Sequence, residues 1–204
     1  MQVGKALIFA TLLGCLEPVL TITALLSHRP PFVMPLHQKD QADRAKRAFA
    51  GGEASDHLAL LEAHQQWERE ERRGNGFDFA RRHYLSAPTL RMVSKIKSQY
   101  RELLRDASLL PENEQFADRN SGDWSVVKAA LCAGLYPNLV RLSGGERPKF
   151  FTAEHGTVKL HPGSVNDKVH RLIDCSSLTG DSDRRNQAIS SINGAWPALS
   201  RISN

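Results

Sequence analysis

Residues 6–26 read Ala6-Leu7-Ile8-Phe9-Ala10-Thr11-Leu12-Leu13-Gly14-Cys15-Leu16-Glu17-Pro18-Val19-Leu20-Thr21-Ile22-Thr23-Ala24-Leu25-Leu26, two apolar runs interrupted at Glu17-Pro18. A membrane-spanning helix needs about 20 consecutive apolar residues, and the acid and proline break the stretch well short of that. A secretory leader would be followed by a polar mature terminus rather than by the second run, Val19 to Leu26. Proline is well placed at the start of a helix. The stretch is therefore expected to form two short helices joined by a tight turn and packed inside a protein.

The rest of the composition agrees with a packed chain. With 204 residues, 41% hydrophobic residues and 14 glycines, it falls near the globular average of about 45–50% apolar. The net charge of +5 and pI near 9.3 would suit a nucleic-acid partner, but the excess is thin and spread along the chain. Three scattered cysteines (Cys15, Cys132, Cys175) make no disulfide framework and no zinc site, and point to a reducing compartment. The eight histidines form no HExxH or similar ligand pair, which argues against a metalloenzyme. No GxxxxGK[ST] run occurs, and Ser143-Gly144-Gly145-Glu146 is too short and places an anion where a phosphate would sit.

Beyond the apolar start, Arg29 to Leu36 holds three prolines and reads as an extended connector. Asp43 to Ala50 reads as a short helix stopped by Gly51-Gly52. Ser55 can cap a helix carrying Leu58, Leu61 and Trp67, which ends in the charged run Glu68 to Arg73 and a turn at Gly74-Asn75-Gly76. Ser86 starts a long helix from about Pro88 to Arg105. At about 100° per residue, Met92, Val93, Ile96, Tyr100, Leu103 and Leu104 share one side of it, and Arg91, Lys95, Lys97, Arg101 and Arg105 the other. That basic arc reads either as a solvated face or as a phosphate contact. After a polar linker, Pro111 to Gly122, Asp123 caps a helix ending near Gly134. Its Val127 and Leu131, with Tyr136 beyond, are expected in the core. Strands are expected at Asn138 to Leu142, Lys149 to Thr152 and Thr157 to His161. From about Gly180 the chain is rich in Ser and Asn and reads as a disordered tail.

The order of these segments resembles the C-terminal accessory region of DEAH-box RNA helicases: the end of the winged-helix module, the helical ratchet (HA2) domain and the start of the oligonucleotide-binding (OB) fold. The residues that carry the resemblance are Gly14-Cys15-Leu16-Glu17-Pro18-Val19-Leu20-Thr21-Ile22, Pro31-Phe32-Val33, Ser55-Asp56-His57-Leu58-Ala59-Leu60-Leu61 and Trp67. Leu85-Ser86, Thr89-Leu90-Arg91-Met92, Val127 to Pro137 and His161-Pro162-Gly163-Ser164-Val165-Asn166 continue it. Asp123 to Lys128 and Pro137 to Val140 look most like the branch that also carries a YTH domain, although no YTH domain is present here.

The resemblance implies an α+β fold, a helical ratchet bundle followed by a partial OB-fold β-barrel. The implied divisions are 1–35 for the winged-helix end and the start of the helicase-associated helices, 36–110 for the ratchet, 111–122 for a linker, 123–178 for the partial OB fold and 179–204 for the tail. It implies contact with single-stranded RNA; the placement of Arg91, Lys95, Gln99 and Arg105 opposite the apolar side of the long helix makes them the candidates for that contact, and His161 and Ser164 at the barrel rim read either as further contacts or as turn-stabilising residues. Motor lobes and an activator protein are further implied partners, with a cytoplasmic or nuclear location and no membrane. The motor lobes are missing from this chain. It is therefore expected to hold no cofactor and to have no catalytic or metal-ligating residue of its own; ATP and Mg are implied for a complete helicase. A competing interpretation makes the same surfaces a protein-docking module without RNA contact. A third, a secreted lipoprotein, is suggested by Lys5 and the Leu12 to Cys15 run.

Overall fold

The computed structural model describes residues 2–51, 55–138, 140–142, 150–152, 156–158 and 163–165. These form an α+β fold that is mainly helical: α1 (Gln2–Leu13), α2 (Leu16–Leu26), α3 (Lys39–Ala50), α4 (Asp56–Arg72), α5 (Gly76–Arg82), α6 (Ala87–Asp106) and α7 (Trp124–Leu135). A 3-10 turn at Glu114–Asp118 lies between α6 and α7. Strands β1 (Arg141–Leu142), β2 (Phe150–Thr152) and β3 (Gly156–Val158) follow. They pair antiparallel in that order, with Arg141 opposite Phe151 and Phe150 opposite Val158. Among the described residues this is a three-stranded sheet rather than a closed barrel. His161 and the 179–204 stretch lie outside the described residues.

The apolar start forms the expected helix pair. The break falls at Gly14, whose φ of +69° disfavours any side chain, and where an added Cβ would also stand 2.8 Å from Arg119 Cγ. α2 is buried on nearly every side, with Leu16, Val19, Leu20 and Ile22 fully enclosed. α1 is different: Ala6, Leu7 and Ala10 pack inward, while Ile8 and Leu12 face solvent. Its inner side lies on α7, where a Cβ on Gly134 would run into Ala6. Small residues on both helices are what allow that approach.

Residues 111–122, read from sequence as a linker, close onto this first core. Ala117 is fully buried. Asn120 donates its backbone N–H to the Gly14 carbonyl at 2.6 Å and its Nδ2 to the Leu13 carbonyl at 2.7 Å. Asp118 Oδ1 accepts from the Glu17 backbone N–H at 2.6 Å, satisfying a donor in the first turn of α2. Tyr136, expected in the core, is instead 61% exposed. It sits just past the end of α7, where the chain turns away, with the Lys5 ammonium over its ring.

A second core gathers Phe49, Trp67, Phe79, Leu85, Leu90 and Val165. The expected caps are in place: Ser55 accepts from Leu58 N, Ser86 from Thr89 N, and Asp123 from Ser125 and Val126 N. The connector 29–36 is pinned to the start of α6, since Ser86 N donates to Pro31 O at 2.8 Å and Val33 N to Tyr84 O at 2.7 Å. Past the Gly74 turn lies α5, a helix the sequence pattern does not reveal because seven residues give too little period to read.

Asp56, the first residue of α4, links this core to the chain beyond the sheet. Its Oδ1 lies 2.7 Å from Lys46 Nζ and accepts from Val165 N at 3.2 Å, and its Oδ2 accepts from Ser164 Oγ at 2.6 Å. Lys46 also donates to the Gly163 carbonyl. Both charged side chains are largely buried, so their mutual pairing and these hydrogen bonds are what make them tolerable inside.

Two outcomes follow from this packing. Trp67 is 2% exposed, so Trp67→Ala should cost about 3–5 kcal/mol of stability, read as a fall in the denaturation midpoint; an unchanged melt would place the ring outside the core. His57 and His64 are both buried. Burial pushes the His57 imidazole down to about 4 despite the neighbouring Asp56 carboxylate, and burial lowers His64 as well. Both groups are neutral in the fold, whereas in the unfolded chain they titrate near about 6.5. Stability should therefore be full above about pH 6.5 and fall as the pH drops toward about 4. Urea titrations across that range test it, and a flat profile would contradict it.

Candidate nucleic-acid interface

α6 is amphipathic in sequence, yet it packs along neither the centre of its apolar arc nor that of its basic arc. At about 100° per residue its buried line is rolled by roughly 70° from the apolar centre toward the basic side. Leu90, Val93 and Leu104 are buried, and Lys97 and Arg101 are drawn in beside them, with side chains only 14% and 25% exposed. Met92 and Leu103 are turned outward.

Four carboxylates explain the roll. Lys97 Nζ lies 2.8 Å from Glu17 Oε1 and 3.2 Å from Glu68 Oε1. Arg101 meets Glu17 Oε2 at 2.8 Å, Glu114 Oε2 at 3.1 Å and Asp118 Oδ2 at 3.6 Å. Arg105 reaches Glu114 Oε1 at 2.8 Å. Burial alone would raise the Glu17 carboxyl, but Lys97 and Arg101 hold it below its ordinary value. Glu114 is held low by Arg105, while Arg101 is raised, against its own burial, by Glu17, Asp118 and Glu114. The network ties α2, α4, α6 and the 3-10 turn into one body.

The four α6 residues assigned to RNA all remain outside. Arg91, Lys95, Gln99 and Arg105 are exposed along a stripe about 120° wide. Arg91 pairs with Glu71 at 2.8 Å and Arg105 with Glu114. Among the described residues, no hydrogen bond or ion pair involves the Lys95 or Gln99 side chain. Ser164 is placed elsewhere: it is 6% exposed, with its hydroxyl on Asp56. The structure therefore brings together the α6 stripe and separates Ser164 from solvent.

Sequence reasoning missed the anchoring role of Glu17. A lone acid inside an apolar run is the available signal, because a carboxylate drawn partly out of water gains from a cationic partner. One further cluster resembles a nucleophile, base and carboxylate. Ser94 Oγ lies 3.2 Å from His64 Nε2, and Glu68 Oε1 lies 3.7 Å from His64 Nδ1, beyond hydrogen-bond length. His64 is fully enclosed, Ser94 Oγ also faces the Leu90 carbonyl, and Glu68 is engaged by Lys97. The trio bridges α4 and α6, with the His64 imidazole closed off from solvent and Glu68 held by Lys97.

Against known proteins, residues 1–60 match the helicase associated domain (HA2), described as ratchet-like. Over 171 residues the chain is 44% identical to the DExH-box ATP-dependent RNA helicase DExH1 of Arabidopsis thaliana, covering 83% of this chain and 17% of that protein. It is 38% identical over 176 residues to the human ATP-dependent DNA/RNA helicase DHX36, covering 81% of this chain and 17% of that protein. It is 31% identical over 184 residues to the human putative ATP-dependent RNA helicase DHX57, covering 79% and 13%. The chain thus spans less than a fifth of the length of these curated relatives. Among the described residues no helix is long and apolar enough to cross a membrane, and no group of His, Cys, Asp and Glu side chains could hold a metal ion. Residues 1–60 thus resemble the ratchet-like helicase-associated domain, and over most of its length the chain is similar to a portion of DExH-box RNA helicases.

Proposed function

We propose that this chain is the RNA-gripping C-terminal accessory portion of an ATP-dependent DExH helicase, in which the ratchet helices and the start of an OB fold line a passage for single-stranded RNA. The observation that carries this reading is the α6 stripe: Arg91, Lys95, Gln99 and Arg105 face outward on a helix whose remaining cations are locked inward. Fixed cations on a rigid helix suit a ligand whose constant feature is its phosphate backbone. Motor lobes on other parts of a complete protein would supply ATP hydrolysis with Mg, since this sequence lacks the glycine-rich phosphate loop. The winged-helix end, the OB fold, the kinship with the YTH-bearing branch and a nuclear or cytoplasmic location extend the reading on the strength of the sequence resemblance.

A second reading has its own support. Met92, 44% exposed, and Leu103, 63% exposed, lie next to Gln99 on the same outward side. An apolar pair of this kind suits docking of a motor lobe or an activator protein. The two readings separate by experiment. Reversing Arg91, Lys95 and Arg105 to Glu should weaken binding of single-stranded RNA and flatten its salt dependence by about 0.7 in log–log slope for each phosphate no longer neutralised. Replacing Met92 and Leu103 with Ser should leave RNA binding intact. Equal affinity of the charge-reversed chain and the parent across a salt titration would favour protein docking.

A further inference from the structure

The corner where α4 turns into α5 is built differently from the rest of the surface. Between residues 69 and 82 all five basic side chains are arginines: Arg69, Arg72, Arg73, Arg81 and Arg82. Arg69, Arg72 and Arg73 are spaced i, i+3 and i+4 and so share one side of the last turn of α4. Arg81 stands four residues after Phe77, and therefore on the same side of α5.

Phe77 itself is 67% exposed, while Phe79, two residues on, is buried against Phe49 and His83. The buried ring anchors α5 and leaves Phe77 exposed on a helix whose last turn carries the exposed Arg81 and Arg82. The corner is held firmly: Gly74 adopts φ +82°, Asn75 N donates to Glu70 O at 2.9 Å, and a Cβ on Gly76 would run into Glu71.

The acids of this stretch are mostly engaged. Glu70 pairs with Arg73 at 2.7 Å and Glu71 with Arg91 at 2.8 Å. Asp78 is exposed and opposes the positive field. Among the described residues, no carboxylate lies within ion-pair distance of Arg69, Arg72 or Arg81.

We propose that this corner is a second contact for single-stranded nucleic acid, in which Phe77 stacks on one base and Arg69, Arg72 and Arg81 hold the adjoining phosphates. The exposed ring offers a flat apolar face, and every base presents a face on which it can stack. Arginine rather than lysine suits the planar, bidentate recognition of phosphate. The Arg91–Glu71 pair brings the corner beside the upper end of the α6 stripe, so one strand could run across both. The proposal rests on the reading that the chain meets single-stranded nucleic acid, but it concerns a separate surface.

Fluorescence anisotropy of the 204-residue chain with a labelled oligouridylate of about 12 nucleotides tests it. Phe77→Ala should weaken binding about five-fold or more, Phe77→Trp should restore it, and Phe77→Leu should not. Arg72→Gln and Arg81→Gln should each lower the salt slope by about 0.7. Thermal melts of all variants should match the parent, since these side chains are exposed. The charge-reversed α6 chain is measured in parallel. If it loses affinity while the corner variants bind like the parent, the proposal fails and the α6 reading stands; the corner then fits a protein partner. Full rescue by Phe77→Leu would overturn stacking in favour of plain apolar contact. If the parent chain does not bind the oligonucleotide, both fail.

Discussion

Glu17 is the pivot of this structure. It sits in the first turn of the most deeply buried helix, and its two carboxylate oxygens divide between Lys97 and Arg101 of α6, each at 2.8 Å. A carboxylate drawn partly out of water needs such partners, and the two cations in turn reach Glu68 on α4 and Glu114 and Asp118 on the 3-10 turn. The rotation of α6 about its own axis is therefore set by charge as much as by apolar area. An α6 turned to bury Met92 and Leu103 would leave Glu17 without its counter-ions.

This arrangement gives α6 two kinds of cation. Lys97 and Arg101 are spent on holding the fold, whereas Lys95 stands outward beside Gln99 and the singly paired Arg91 and Arg105. A count of basic residues on a helical wheel treats all five cations as equivalent. The structure separates them by what lies opposite, and that separation makes the outward stripe a coherent candidate surface rather than a general positive field.

Much of the helical framework could be read in advance because its signals are local. Ser55, Ser86 and Asp123 each cap the helix that follows, and Glu17-Pro18 signals that the apolar stretch is two helices, although they part at Gly14 and the acid and proline fall in the first turn of α2. What escaped depends on contacts distant in sequence. The 111–122 stretch looks polar, but Asn120 and Asp118 bond to residues more than a hundred positions earlier. Ser164 was placed at a rim because it follows the expected strand Thr157 to His161 in the resemblance to an OB fold, whereas in the structure its hydroxyl is held by Asp56. The exposure of Tyr136 depends on where the chain leaves α7. α5 was hidden by its brevity, and with it the contrast between Phe77 and Phe79.

The Asp56 clasp has a mechanical meaning. Ser164 and Val165 lie 108 and 109 positions beyond the residue that binds them, so the sheet segment is held at both ends, by α7 before it and by the head of α4 after it. A load applied to that segment would be shared between two anchorages instead of being carried by a single hinge.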